Sequence, residues 1–386
     1  MQEDFHYYAT YAAAYMAGYS HEESLAVCYC AQLVDLCSRT LLIKLGAPKA
    51  AATTQLSLEM ADARTDPIGL QDITRIWASF HFLPGDLNAN RKGWSRHYRN
   101  KFRLICQPNS DLLVETVELA KGRSLQAVGL AMHVLADTWA HRYFAGTPSL
   151  VINNTDYHFE ELLPDGSVRP IRFRHSPNAP DDLIQGIYTN SLYQGNENTV
   201  MNLGHGRAGH LPDYSFMQYR YLPAWADYEE VFKDNPVDYY LAFCQMVSAM
   251  KYIRGLADSF GKEQYDWETV APWEAEIREI LSRRQLNASN DWKTFGERLS
   301  GETVEPFDLN RYQEEYRNAT EEERDRTFLG RFFLAALAQK SLVTNRIFRS
   351  GSLLAGISAD YEEKKGFKGI RDFRKLIRNE SEEKQQ

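Results

Sequence analysis

Apolar positions recur at three- and four-residue intervals through most of the chain, a period that predicts helices. Residues 5–18 and 22–45 are rich in Ala, Leu and Tyr. They break at Gly18-Tyr19-Ser20, where Ser20 and Glu23 have capping-box spacing. Asp66-Pro67 places a capping residue before a proline at the first helical position and opens a helix towards Phe80. Ser110-Asp111 opens another, which Gly122 interrupts. A further helix runs from about Ser124 to Phe144 and ends at Gly146. Asn235-Pro236 starts a helix to about Phe260, and 310–348 carries the same period.

Between about 147 and 178 the texture changes. Leu162-Leu163-Pro164-Asp165-Gly166-Ser167-Val168 sets a Pro-Asp-Gly turn between short alternating runs, which predicts a β-hairpin. Residues 195–215 are rich in Gly and Asn and read as a loop.

One predicted helix carries chemistry. Residues 133–141 read His-Val-Leu-Ala-Asp-Thr-Trp-Ala-His. On a helix, His133, Asp137 and His141 fall on one stripe spread over roughly 80° and about 12 Å of axis. Val134, Leu135, Ala136 and Ala140 lie between them, so the stripe belongs to an otherwise buried helix. A buried carboxylate between two imidazoles needs partners to offset its desolvation. His133 with Asp137 can grip one cation and Asp137 with His141 a second, the carboxylate bridging. The competing reading is a hydrogen-bonded core network.

Composition narrows the class. The formal charge of −8 argues against a protein that coats nucleic acid, while leaving room for a nuclease or a local basic patch. Glu3 and Asp4 stand where a secretory leader would be basic, the first Lys or Arg being Arg39. No run is long and apolar enough for a membrane span. Cys28, Cys30, Cys37, Cys106 and Cys244 form no C-x-x-C pair and suit reduced thiols, so a cytoplasmic location is expected.

Histidine use is uneven, with none beyond His210. His6 follows Asp4 at the head of the first helix. Asp35 closes the apolar run Ala-Gln-Leu-Val, and His81 sits among aromatics in Ser-Phe-His-Phe-Leu-Pro. His205 and His210 lie in Gly-His-Gly-Arg-Ala-Gly-His-Leu-Pro-Asp, where the glycines allow close backbone approach. His158 and Glu161 form another candidate pair in Tyr-His-Phe-Glu-Glu, whereas His21, His97 and His175 read as solvated. Imidazole plus carboxylate without thiolate favours zinc, with manganese or iron possible. The expected organisation is all-α: a multi-helix, bundle-like metal-site domain over 1–260, with a hairpin and loop insertion at about 147–215. A helical C-terminal extension would cover 261–386.

The order and spacing of these residues over 1–215 resemble the zinc-dependent phospholipase C and single-strand nuclease superfamily of mostly helical trinuclear zinc enzymes. Asp-Phe-His-Tyr-Tyr, the helical triplet and Gly-His-x-x-x-Gly-His-Leu-Pro-Asp look closer still to an uncharacterised bacterial family related to it. The resemblance implies His6, Asp35, His81, His133, Asp137 and His141 as metal ligands. His205, His210 or Asp213 would complete the cluster, or alternatively His158 and Glu161. In the secreted enzymes a mature N-terminal Trp binds one zinc; this chain begins Met-Gln, and Asp4 is the expected substitute. The gap of four from Asp137 to His141 is also shorter than the Pro-broken gap usual there.

The expected activity is metal-assisted hydrolysis of a phosphoester by two or three zinc ions. Asp137 would bridge ions, and Asp35 would serve as ligand or base orienting the nucleophile. Arg142 and Arg207, which flank ligand candidates, are the candidates to pin the phosphate, with a surface salt bridge as the competing reading for each. The substrate would be a phosphoester small molecule, a phospholipid or single-stranded nucleic acid. An HD-type phosphohydrolase needs an adjacent His-Asp pair, which the chain lacks, and a di-iron bundle needs two Glu-x-x-His pairs, where the chain has one, Glu3 with His6. The alternative from another class is a non-catalytic, metal-stabilised binding or scaffold protein. Residues 364–378 alternate basic and apolar positions at helical spacing and are a candidate for peripheral contact with an anionic membrane.

Overall fold

The computed structural model describes residues 1–47, 53–55, 67–147, 153, 158–174, 179–190 and 203–356. The chain enters through a π-helical turn, Asp4–Ala9, that continues as α1 (Thr10–Met16). A full capping box between Ser20 and Glu23 then starts α2 (His21–Leu36), as the Ser-x-x-Glu spacing predicts. Ser38 caps α3 (Arg39–Leu45), which stops at Gly46 in the left-handed conformation. The helices α4 (Pro67–Phe80), α5 (Arg96–Phe102), α6 (Asp111–Ala120) and α7 (Leu125–Ala140) follow.

Every residue of α7 from Gln126 to Ala140 is buried, so this helix is the axis of the molecule. It packs most extensively against α2 and also meets α6 and α8 (Asn235–Arg254). Gly129 permits the α2 contact: a Cβ there would stand 2.2 Å from the Val27 carbonyl oxygen. That approach puts the α2 backbone within reach of the α7 side chains.

The insertion departs from the all-α expectation. The hairpin forms, with β1 (Glu160–Leu162) antiparallel to β2 (Val168–Pro170) around the Pro-Asp-Gly turn. Two further elements extend it beyond a hairpin. A parallel pair joins β3 (Arg172–Arg174) and β4 (Ile187–Thr189). A four-stranded antiparallel sheet has the order β2-β1-β5-β6, with β5 (Gln218–Tyr221) and β6 (Val231–Asp234) closing the edge. The molecule is therefore helix-rich with a small sheet rather than purely all-α. β5 alternates half-buried and buried positions, setting Tyr219 and Tyr221 into an aromatic core with Phe144 and Phe159. In a run of four residues that period is too short to stand out in sequence.

Residues beyond 260 form α9 (Trp267–Val270), α10 (Glu274–Ser282), α11 (Ser289–Ser300), α12 (Leu309–Asn318) and α13 (Phe328–Arg349). They share the main core: Trp292 of α11 lies edge-on to Phe5, and α13 packs on α4, α6 and α7. The boundary expected near 260 does not divide the hydrophobic core. No helix among the described residues is long and apolar enough to cross a membrane. The 364–378 segment lies outside the described residues.

Candidate metal centre

The His133–Asp137–His141 triplet does not lie on one continuous helix. α7 ends at Ala140 and His141 is its C-cap, with backbone angles of −88° and 12°. Its ring turns away from the stripe, and Nδ1 lies 2.7 Å from the carbonyl oxygen of His81. A carbonyl oxygen only accepts, so Nδ1 carries the proton and Nε2 keeps its lone pair. That lone pair faces Asp213 Oδ1 at 3.3 Å. His141 therefore faces the Gly-His loop through Nε2 while its Nδ1 stays 3.5 Å from Asp137 Oδ2, so the pairing that the helical spacing predicted is kept and a second carboxylate is added.

The same device recurs at three other imidazoles. Nδ1 of His133 donates to the Ala31 carbonyl of α2 at 2.9 Å. Nε2 of His81 donates to Thr54 O at 3.0 Å, and Nδ1 of His205 to Gly209 O at 2.7 Å. In each ring one nitrogen is tied to main chain and the other is left as a lone pair directed inward, the arrangement expected of metal-ligating histidines. His6 is different: buried completely in the π-helical turn, it makes no hydrogen bond at either nitrogen. Its Nε2 stands 3.1 Å from Asp137 Oδ1, out of line for a hydrogen bond.

These lone pairs converge on carboxylates. Oδ2 of Asp137 lies 3.1 Å from His133 Nε2 and 3.2 Å from His81 Nδ1, and the two ring nitrogens are themselves 3.2 Å apart. Asp35 stands at the edge, 3.8 Å from His81 and 3.9 Å from His133. Around Asp213, His141 and His205 approach Oδ1 at 3.3 and 3.7 Å. Three groups have ligand atoms mutually close enough to hold an ion: His6, His133 and Asp137; Asp35, His81 and His133; and His141, His205 and Asp213. Because His133 offers one free nitrogen, it can serve only one of the first two groups at a time.

The electrostatics fit a cation. Burial holds His6, His133 and His205 neutral, with pKa values lowered to about 4. Burial opposes ionisation of Asp137 and Asp213 too, yet neighbouring imidazoles and the Met1 amino group hold both well below the usual carboxylate range. That amino group lies 2.8 Å from Asp137 Oδ1, 3.2 Å from His141 Nε2 and 3.3 Å from Asp213 Oδ1. Burial lowers its pKa, but Asp137, Asp213 and Asp35 together raise it to about 11. A positive charge is thus stabilised where the lone pairs meet, and the donor set could hold metal ions.

The remaining expectations divide. Asp4 does not enter the cluster, because its carboxylate accepts from the Phe5 and Ala288 amides, and the Met1 amino group occupies the place expected for it. His210 belongs to none of the three groups: it is 58% exposed and bonds Asp213 Oδ2 through Nδ1 at 3.0 Å. Glu161 lies in the sheet, paired with Arg169 and Arg284, and His158 is exposed. Arg142 pairs with Asp238 at 3.5 Å and covers the Tyr143 ring, while Arg207 is buried within the Gly-His loop. His21 bonds Tyr11, and His175 lies outside the described residues. Phe82 is fully buried and stacks on His141 at 4.6 Å, so it braces a candidate ligand from the core. Sequence spacing missed the Met1 nitrogen and the carbonyls of Ala31, Thr54, His81 and Gly209, which no side-chain motif encodes.

Residues 1–347 match the model of a family of unknown function, DUF6765, and the chain belongs to that family. No curated protein and no solved structure matches the chain.

Proposed function

We propose that this member of the DUF6765 family is a metal-dependent hydrolase of phosphoesters built on at least two zinc ions. The observation that carries the reading is the set of pinned imidazoles, whose inward lone pairs and carboxylates form a donor set without thiolate, suited to zinc. His141, His205 and Asp213 would hold one ion. His6, Asp35, His81, His133 and Asp137 would hold another, or two bridged by Asp137. Bound ions supply Lewis acidity, which acidifies water and neutralises charge at phosphorus.

The chain's own residues define the rest. Asp35 is 24% exposed and His205 17%, so substrate reaches the centre past these two side chains while Asp137 stays buried. Asp35 can take a proton from water on that open side. The ionised Asp137 and Asp213 anchor the site, and the main-chain hydrogen bonds keep the rings from turning when substrate enters. A closed centre would instead serve a structural role, so the partly open edge favours hydrolysis over a scaffold.

Elemental analysis of purified wild-type protein beside Asp137→Asn, followed by a chromogenic phosphodiester assay, tests the reading. The expected result is two or three zinc per chain, and metal-dependent turnover that the variant loses. Wild-type protein that takes up no metal on reconstitution overturns it. Full metal loading with no turnover of phosphodiester, phospholipid or oligonucleotide would leave a metal-stabilised binding protein.

A further inference from the structure

Between Asp86 and Asp111 the chain carries no acidic residue, although its net charge is −8. The same stretch holds Arg91, Lys92, Arg96, Arg99, Lys101 and Arg103, interleaved with Trp94, Tyr98 and Phe102. The aromatics form one cluster: Trp94 lies 4.2 Å from Phe102 and 5.3 Å from Tyr98, and Phe102 meets Trp225 at 6.2 Å. Two of the cations are engaged. Arg91 pairs with Asp227, both well exposed, and Arg103 donates to the carbonyls of Ala89 and Ser350. Among the described residues Lys92, Arg96, Arg99 and Lys101 form no ion pair, and Arg99 Nε is buried without a hydrogen-bond partner.

This excursion is rooted at the metal centre. It leaves the chain just after His81 and returns through Cys106, whose amide donates to the Phe144 carbonyl while the Tyr143 amide donates back to the Cys106 carbonyl. Gly85 N–H closes the base on the Ile105 carbonyl. Tyr143, two residues after His141, extends the aromatic surface through Trp225 at 5.8 Å. The positive stretch and its rings are thus tied by main-chain hydrogen bonds to the segments that carry His81 and His141.

We propose that residues 87–103 are a docking surface for single-stranded nucleic acid. Unpaired Lys and Arg side chains match a row of phosphates, and rings set between them match unstacked bases. An anionic membrane fits less well. α5 has seven residues, and Trp94, Tyr98 and Phe102 are half-buried, which leaves ring surface for a base but no whole side chain to insert into lipid. Binding here does not depend on hydrolysis, so this proposal and the hydrolase reading fail separately.

The test is fluorescence anisotropy of a labelled oligothymidylate of about twenty nucleotides, with EDTA present to silence metal chemistry. K92E/R96E should weaken binding at least tenfold and lower the salt slope by about 1.4. W94A should weaken binding with the salt slope unchanged. K293E/R298E, on α11, makes the same change of net charge and should bind like wild type. R96Q supplies a charge-neutral variant should the double reversal melt early by circular dichroism, and it should weaken binding in the same direction. Three results overturn the proposal: no oligothymidylate binding by wild type, equal weakening in the α11 control, or patch-dependent binding to phosphatidylserine vesicles that oligothymidylate does not displace.

Discussion

The imidazole of His6 lies flat on that of His133, ring centroids 3.8 Å apart and planes 18° from parallel. One ring comes from the π-helical entry and the other from the central helix, so the stack joins the start of the chain to its axis. Two protonated rings could not share that distance in a buried setting. Metal or neutrality is the condition of this contact.

Acid should therefore loosen the metal-free protein. His6, His133 and His205 have folded pKa values of about 4 against 6.5 unfolded, so the unfolded chain binds more protons between those limits. Their contribution is full above pH 6.5 and is lost as pH falls towards 4, each worth up to about 3 kcal/mol and not additive. Asp4, raised by burial to about 6, acts in the opposite sense as pH falls from 6 to 3.8, as do Asp35, His81 and His210, whose pKa values are raised by less, and the three larger histidine shifts outweigh them. Thermal melts of EDTA-treated protein from pH 7.5 to 4 should show a falling Tm. A flat profile would contradict the buried neutral imidazoles.

Gly129→Ala should separate α2 from α7. The added Cβ would meet the Val27 carbonyl oxygen at 2.2 Å and Cys30 Cβ at 2.7 Å, and main chain cannot yield as a side chain does. A loss of about 1–3 kcal/mol is expected from overpacking. The shift also draws Ala31 away from His133, so metal held by the first two groups should weaken more than metal at His141, His205 and Asp213. Stepwise chelator titration would show the split.

His210→Ala tests orientation of a carboxylate by a residue that is not itself among the candidate ligands. Its ring fixes Asp213 from the solvent side, and losing such a partner typically costs 10–100-fold in metal affinity. The far-ultraviolet spectrum should stay unchanged while competition against a zinc indicator reports the weaker site. Rescue by His210→Gln, which can still donate, would separate positioning from coordination.

Arg284→Ala should detach the sheet from the helices beyond 260. Arg284 Nη1 lies 2.5 Å from Glu161 Oε1, and Arg169 holds the other oxygen at 2.8 Å. Glu161 is fully buried, and breaking one side of such a pair costs about 3–5 kcal/mol where no partner remains. With Arg169 still present, roughly half that loss is expected in urea unfolding.

Most helices could be read from period and caps, because Ser20 and Ser110 mark starts by local chemistry that survives in any tertiary setting and Pro67 opens α4; Asp66 lies outside the described residues. The cluster was visible through residue type: His81, His133, Asp137, His205 and Asp213 stand out as polar groups in apolar or glycine-rich surroundings. Its geometry was not. Spacing of four placed His141 beside Asp137, where it lies at 3.5 Å, but did not show that the helix ends one residue earlier, that Nδ1 donates to the His81 carbonyl or that Nε2 faces Asp213. Strands β5 and β6 escaped because four-residue alternation carries little signal, and their pairing is decided by contacts distant in sequence.

The carbonyls of Ala31, Thr54, His81 and Gly209 come from four separate stretches of the chain, and every amino acid supplies the same oxygen. The alignment of the rings is consequently indifferent to side-chain identity at Ala31 and Thr54 so long as the backbone keeps its path. Side-chain identity there acts only through that path: Thr54 Oγ1 holds its turn by donating to the Val34 carbonyl and Ala31 is buried against α7, so a change that displaces the main chain by about an ångström would misdirect a ring while leaving every candidate ligand in place. A homologue can thus retain all the histidines and aspartates and still have lost its grip on metal.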